Sequence, residues 1–389
     1  MSERFTRRTK EEKPVIAICY DFDKTLSPDD MQAQGFIQKV GYDIEKFWTE
    51  SNRLAEENGM DQNLAWMYMM IEKAEGKTLM TRKDLMEYGA SVELFQGVKG
   101  WFKRIRKFGE ERGVIVEHYI ISSGLKEMIE GTVVANEFEY IYASSFYFNH
   151  KGVATWPAQS INYTGKTQFL FRIEKGVLDV NDQGVNDSFE PDKLRVPFRN
   201  IIYIGDSDTD VPCMKLVNTY GGHSIGVYDY KKRDKTKVYK MMRENRIRYF
   251  APANYEDGSE LDGLVKNIID RTAANEKLEK YHIRNLSEQF SNELRYNNRE
   301  HALEKLNGIV ALESSVSFLN THTVISKIKD IDDWNQEEIE ELFEIGRNNS
   351  QVNYILRDDD VMNFYKHLFS LSNCKNTTEN AEYIRNRIK

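Results

Sequence analysis

Residues Pro14 to Leu26 read PVIAICYDFDKTL, an apolar run that ends in two carboxylates two positions apart, followed at once by Thr25. An unbroken series such as Val15, Ile16, Ala17, Ile18 and Cys19 suits a central strand of a parallel sheet, buried on both faces. Alternation along an extended chain sends Asp21 and Asp23 to the same side and turns Phe22 the other way, into the packing. The carboxyl end of such a strand is where open α/β sheets hold their ligands. Two carboxylates so close repel each other unless a cation or a shared proton intervenes. An isolated D-x-D-x-T also fits a solvated strand end, and it is the later segments that decide between the two.

After Thr25, Ser27-Pro28-Asp29-Asp30 reads as a helix start with Pro28 in the first turn. From there to about Leu94 apolar residues recur at three- and four-residue spacings: Phe36, Ile37 and Val40, then Ile44, Phe47 and Trp48, then Leu64, Met67, Met70 and Ile71. No strand alternation interrupts them, which predicts an all-helical insertion directly after a sheet strand, where a lid would be built. The sheet pattern returns beyond Gly97. A helix through Trp101, Phe102 and Ile105 leads to a second apolar strand, Val114 to Ile121, which ends in Ser122-Ser123-Gly124 before a helix over Leu125 to Ile129. Backbone amides and hydroxyls at such a junction suit either an anion or a helix cap. Alternation from Tyr140 to Trp156 about Asn149-His150-Lys151-Gly152 predicts a β-hairpin. Lys166 then falls in the first turn of a helix carrying Phe169, Leu170 and Ile173, where the helix dipole disfavours a cation unless an anion is near.

A third apolar strand, Ile201 to Ile204, ends in Gly205-Asp206-Ser207-Asp208-Thr209-Asp210. Three acids at alternate positions suggest a cation site. A calcium loop is excluded, because counting Asp206 as position one puts Val211 where glycine is needed and Val217 where a bidentate glutamate is needed. A strand end with Asp210 opening the helix of Met214, Leu216 and Val217 fits instead. Weaker strand and helix signals run to Ala251, and from about Leu261 to Lys389 only helical periodicity is found. There Leu303, Leu306 and Val310 mark one face, Asn335 with Glu338 forms a capping box, and Val361, Phe364, Tyr365 and Leu368 share a helix.

Composition narrows the function classes. At 389 residues two or three domains are expected, and 40% hydrophobic content supplies a core. A formal charge of -8 argues against broad binding to nucleic acid or anionic lipid. No apolar stretch approaches a membrane span, and the N-terminal MSERFTRRTKEEK lacks the hydrophobic centre of a signal peptide. Cys19, Cys213 and Cys374 are scattered, which suits a reducing cytoplasm and neither a disulfide framework nor a Cys zinc site.

Three apolar strands, each ending in a different polar signature, resemble the haloacid dehalogenase superfamily of phosphohydrolases. The resemblance covers residues 14 to about 255 and takes in four motifs in order: Asp21-Phe22-Asp23-Lys24-Thr25, Ser122 after a strand, Lys166 at a helix start, and Gly205-Asp206 with Asp210. It implies a Rossmann-like α/β core with a parallel sheet over 1–26 and 96–260, a helical C1 cap over 27–95 and an α-helical C-terminal domain over 261–389. The branch it is most similar to is that of the phosphoserine phosphatases. It also implies roles. Asp21 would be the nucleophile and Asp23 the acid and base. Asp21, Asp206 and the backbone carbonyl of Asp23 would bind Mg2+, with Asp210 a ligand through water or a brace and Asp208 less central. Ser122, Ser123 and Lys166 would bind phosphate oxygens, with Thr25 positioning the loop. Ser207 stands where glycine is common in the fourth motif, and Asp23 favours phosphate over halide chemistry. In the cap, Asp30, Arg53 and Tyr68 are the substrate-choosing candidates.

The expected function is hydrolysis of a small phosphorylated metabolite through an aspartyl-phosphate, with no nucleic-acid or membrane partner. Two alternatives follow from the same residues: transfer of the phosphoryl group to an acceptor alcohol, or a regulatory protein that binds a protein partner or itself through the C-terminal helices. For the latter, Asn348 to Val352 followed by Asp358-Asp359-Asp360-Val361 resembles tails of prokaryotic defence proteins.

Overall fold

Every side chain of Val15 to Tyr20 (β1) is buried, because this strand lies in the middle of a sheet. In the computed structural model the described residues are 5–189, 193–293, 299–372, 374 and 377–388. Residues 1–4 of the charged N-terminal stretch and Lys389 therefore lie outside them. Alternation divides β1 between two cores: Ile16, Ile18 and Tyr20 enter one, and Val15, Ala17 and Cys19 the other. Each such Ile or Val contributes roughly 1.5–3 kcal/mol by leaving water. That two-sided burial is what the unbroken apolar run encodes.

The helices α1 (Phe36–Lys39), α2 (Ile44–Asn58), α3 (Gln62–Ala74) and α4 (Arg82–Ala90) follow β1 with no strand between them. Asp43, Asp61 and Thr81 cap α2, α3 and α4, each accepting backbone N–H groups of the first turn. Then come α5 (Val98–Glu110), β2 (Ile115–Leu125), α6 (Lys126–Gly131), β3 (Tyr140–Phe148), β4 (Ala154–Gln159) and α7 (Thr167–Lys175). After a polar excursion the chain forms β5 (Ile201–Gly205), α8 (Val211–Thr219), β6 (His223–Tyr228), α9 (Thr236–Arg243) and β7 (Tyr249–Pro252). The seven strands lie in the order β4-β3-β2-β1-β5-β6-β7, parallel except for β4, which pairs antiparallel with β3 as the hairpin pattern predicts. This is the Rossmann-like α/β class read from the sequence.

Among the described residues only helices follow: α10 (Glu260–Glu293), α11 (Arg299–Glu313), α12 (Phe318–Ile328), α13 (Gln336–Asn348), α14 (Ser350–Tyr354), α15 (Asp359–Ser370) and α16 (Glu379–Arg387). Two compact units result, residues 1–189 with 193–277 and residues 190–192 with 278–389. The boundary falls inside α10 instead of before it, because Leu261, Val265, Ile268, Ile269 and Ala273 are buried in the core of the first unit. The second unit has its own core around Trp334, Phe343 and Tyr365, and the capping box of Asn335 with Glu338 is present at the start of α13.

Two expectations need correction here. On α11 the buried positions are Lys305, Gly308, Ile309 and Leu312, while Leu303 and Val310 are 46% and 37% exposed. The reason is Gly308: a Cβ there would stand 2.4 Å from Ile328 Cγ2, so the face without a side chain is the one that α12 approaches. In the insertion, Ile44 is exposed while Phe47, three residues on, is fully buried.

Candidate active site

Strand register brings the polar strand ends together. Tyr20 pairs with Ile120 on one side and with Ile204 on the other, so Asp21, Ser122 and Asp206 all emerge at one edge of three adjacent strands. The Asp21 N–H still donates to Ile204 O, at 2.9 Å, and extends the ladder by one residue. Beyond it the chain turns sharply. The Phe22 carbonyl accepts from the N–H groups of Thr25, Leu26 and Ser27 at 3.3, 2.9 and 3.1 Å, and Lys24 takes a left-handed φ of 57°. This turn returns Asp23 toward β2, where Gly124 lets it approach: a Cβ at 124 would lie 2.6 Å from Asp23 Oδ2. The Asp23 Oδ1 atom accepts from the Met31 N–H at 2.9 Å.

Behind Asp21 lie two fully buried groups. The Lys166 ammonium is 2.7 Å from Asp210 Oδ1 and 3.4 Å from Asp21 Oδ1. Lys166 closes a short 3-10 turn, Tyr163–Lys166, immediately before α7, so it stands one residue outside the helix expected to contain it. Asp210 precedes α8 and is held from several directions: the Tyr203 hydroxyl donates to Oδ1 at 2.9 Å, and the Ser207 N–H donates to Oδ2 at 3.2 Å. Gly205 makes room for it, since a Cβ there would stand 2.5 Å from Asp210 Oδ2. Asp21, Asp206 and Asp210, all buried, each offer a carboxylate oxygen within 4.8 Å of the others.

Electrostatics follow from that crowding. Burial, reinforced by the charge of Asp210 and opposed by Lys166, raises the pKa of Asp21 from its ordinary 3.8 to about 6. Asp206 is pushed well above its usual value by burial and then by Asp210 and Asp21. Asp23 is raised likewise, by burial first and then by the charges of Asp30 and Asp21. For Lys166 burial works against the ammonium, but Asp21 and Asp210 outweigh it and its pKa rises. One buried cation thus faces three converging carboxylates. An all-oxygen, anionic donor set of this kind fits a hard divalent cation such as Mg2+.

Asp21, Asp23, Ser122, Ser123 and Asp206 line a cavity of about 250 Å³. Lys166 and Asp210, with no exposed surface, support it from behind. Ser122 Oγ accepts from the Gly124 N–H at 3.0 Å and helps hold the Asp21 carboxylate. Ser123 joins the wall, yet its hydroxyl is buried with no partner among the described residues. Thr25 is fully buried and does not line the cavity, and its carbonyl accepts from the Tyr255 hydroxyl at 2.8 Å, which anchors the turn. Asp208 is also absent from the wall. Of the insertion's candidates Asp30 lines the cavity, paired with Lys24 at 2.7 Å, whereas Arg53 and Tyr68 do not. Sequence reasoning missed the remaining wall: Gln32, Trp48, Asn52, Gln62, Asn63, Trp66 and Lys237. For Gln62 and Asn63 a signal existed, because they open a helix behind the N-cap Asp61. Gln32 sits in a short 3-10 turn with no periodic signature.

The description of a family model that matches residues 18–215 is haloacid dehalogenase-like hydrolase. An uncharacterised protein of Borreliella burgdorferi is 28% identical over an alignment of 284 residues, with 67% of this chain and 98% of that protein covered. Among solved structures, a HAD family hydrolase from Salmonella enterica subsp. enterica serovar Typhi is 18% identical, with 67% of this chain and 74% of that chain covered and a TM-score of 0.44. A probable phosphoserine phosphatase from Vibrio cholerae is 12% identical, with 68% and 67% covered and a TM-score of 0.43. No described helix is long and apolar enough to cross a membrane.

Proposed function

Because this chain belongs to the haloacid dehalogenase-like hydrolases, we propose that it is a Mg2+-dependent phosphatase that hydrolyses a small phosphomonoester through an aspartyl-phosphate on Asp21. The observation that carries the reading is the convergence of three buried carboxylates, Asp21, Asp206 and Asp210, beside the Lys166 ammonium 3.4 Å from Asp21 Oδ1. Three buried carboxylates facing a single ammonium are costly unless a further cation joins them.

In this reading Asp21, Asp206 and the backbone carbonyl of Asp23 would hold Mg2+, with Asp210 a ligand through water or a brace, and the ion when bound supplies positive charge against a phosphate dianion. The Phe22 N–H donates to Asp21 Oδ1 at 2.8 Å and fixes the carboxylate for attack on phosphorus. The bond from phosphorus to the ester oxygen breaks as that oxygen takes a proton from Asp23. Asp23 suits the task because burial and two neighbouring acids raise its pKa well above the usual carboxylate value, which favours the proton-carrying form. With Oδ1 accepting from Met31, the transferable proton resides on Oδ2. Asp23, now ionised, then takes a proton from water as the water oxygen attacks the phosphorus, and Asp21 leaves as a carboxylate with inorganic phosphate as product. Ser122 and Lys166 offset the charge that grows on the phosphoryl oxygens. We read residues 27–95 as a C1 cap over this site, assign the chain to the phosphoserine-phosphatase-like branch, and take its few, scattered cysteines to favour a cytoplasmic setting.

Phosphate release from p-nitrophenyl phosphate and from a panel of phosphorylated metabolites tests the proposal. Asp21→Asn should lower turnover by about a thousandfold or more, and chelation of Mg2+ should abolish it. Equal rates for wild type and Asp21→Asn would end the reading.

A further inference from the structure

The wall of the cavity facing away from the acids is neutral. It consists of the amides Gln32, Asn52, Gln62 and Asn63 and the indoles Trp48 and Trp66. Its charged members outside the phosphoryl centre are Lys24 and Asp30, which neutralise each other, and Lys237, which lies 4.0 Å from Asp206. No arginine or histidine lines it. A leaving group that carried a carboxylate or a second phosphate would find Lys24 already paired with Asp30, and Lys237 exposed and shared with Asp206.

The informative residue is Gln32. It is 2% exposed, lines the cavity, and makes no hydrogen bond among the described residues. An amide bonded to no other described group and bordering the cavity takes its partners from what fills that cavity, water or ligand. Asn63 shows the contrast: its Nδ2 donates to Ile161 O at 2.7 Å and its Oδ1 accepts from the Trp66 indole N–H at 3.2 Å. That contact leaves only the carbon skeleton of Trp66 to face the cavity. Asn52, exposed at the rim, likewise has no hydrogen bond among the described residues.

We propose that the alcohol half of the substrate is an uncharged polyhydroxylated group, a sugar or polyol, with Gln32 as its specificity-determining residue; the inference rests on the phosphatase reading above. A primary amide is both donor and acceptor, and so is a hydroxyl, so Gln32 is satisfied at both ends by a sugar or polyol. A carboxylate alone would satisfy only its N–H groups, a primary ammonium alone only its carbonyl, and a trimethylammonium group neither end, whereas each hydroxyl of a polyol can serve either end. Indole carbon surface packs against the C–H face of a sugar ring, and the rim amide reaches further hydroxyls. A cavity of about 250 Å³ has room for a phosphate with a small polyol or monosaccharide.

The experiment compares kcat/KM of the full-length protein with Mg2+ for glycerol 3-phosphate and hexose 6-phosphates, for phosphoserine, for phosphocholine and for p-nitrophenyl phosphate. Wild type should prefer the best polyol or sugar phosphate over phosphoserine and phosphocholine by at least tenfold. Gln32→Leu should lower the ratio of sugar-phosphate to aryl-phosphate kcat/KM by about tenfold or more, and its residual aryl-phosphate turnover reports that the variant has folded. If the aryl ester is hydrolysed but phosphoserine or phosphocholine is preferred, or the ratio is unchanged in a folded Gln32→Leu, the substrate class is wrong and the phosphatase reading stands. If no ester is hydrolysed, both fall together.

Discussion

Asp23 holds its proton more tightly than an ordinary carboxyl, with burial, Asp30 and Asp21 all acting in that direction. Its two assigned tasks separate on an aryl ester, whose phenolate leaves without needing a proton. Asp23→Asn should therefore give a burst of one nitrophenolate per active site from p-nitrophenyl phosphate, followed by turnover slowed about 10²- to 10⁴-fold, because water then lacks its base. A stopped-flow trace at the wild-type steady-state rate would remove Asp23 from the chemistry. At this scale much was legible in the sequence. Asp21, Asp23 and Asp206 stand at the ends of apolar runs, and a buried strand announces where it stops. Gln32 was not legible, because nothing local distinguishes an amide that lacks a partner from one at the surface.

Among the elements, α4 and α6 meet through reciprocal glycines. A Cβ on Gly89 would stand 1.9 Å from the Met128 carbonyl oxygen, and one on Gly131 would stand 2.0 Å from that of Met86. Backbone thus rests on backbone, and neither side has a flexible group that can yield. Gly89→Ala should destabilise the protein by about 1–3 kcal/mol although alanine is the better helix former. Gly100→Ala on α5 is the control, since its new methyl meets only Arg104 Nη1 at 3.9 Å; it should be neutral or stabilising by up to about 1 kcal/mol. Urea midpoints at constant m-value measure both. The same logic explains the misread α11. Its apolar spacing named Leu303 and Val310, but Gly308 decided which face packs. Periodicity detects that a helix is amphipathic, whereas close approach depends on a partner that lies elsewhere in the chain.

For the molecule as a whole, buried acids tie stability to pH. Burial, eased only partly by backbone N–H groups and Arg82, raises Glu127 from its ordinary 4.5 to about 7. The folded state therefore holds this proton more tightly than the unfolded chain does. Its contribution is fullest below about pH 4.5 and is lost as pH rises to about 7, leaving a cost on the order of 3 kcal/mol above that. Glu127→Gln should accordingly raise stability relative to wild type at pH 8 and much less at pH 5, read from denaturation midpoints at the two values; an equal change at both would place the carboxyl in contact with water. The sequence alone determined the α/β class, the all-helical insertion and C-terminal region, and the acids of the site, because hydrophobic burial and backbone period write those features into short stretches. Only the tertiary structure decided that Tyr20 stands level with Ile120 and Ile204, that α10 begins inside the first unit, and that Gln32 is left without a partner. Those outcomes depend on contacts between segments tens to hundreds of residues apart, whose energies no local pattern contains.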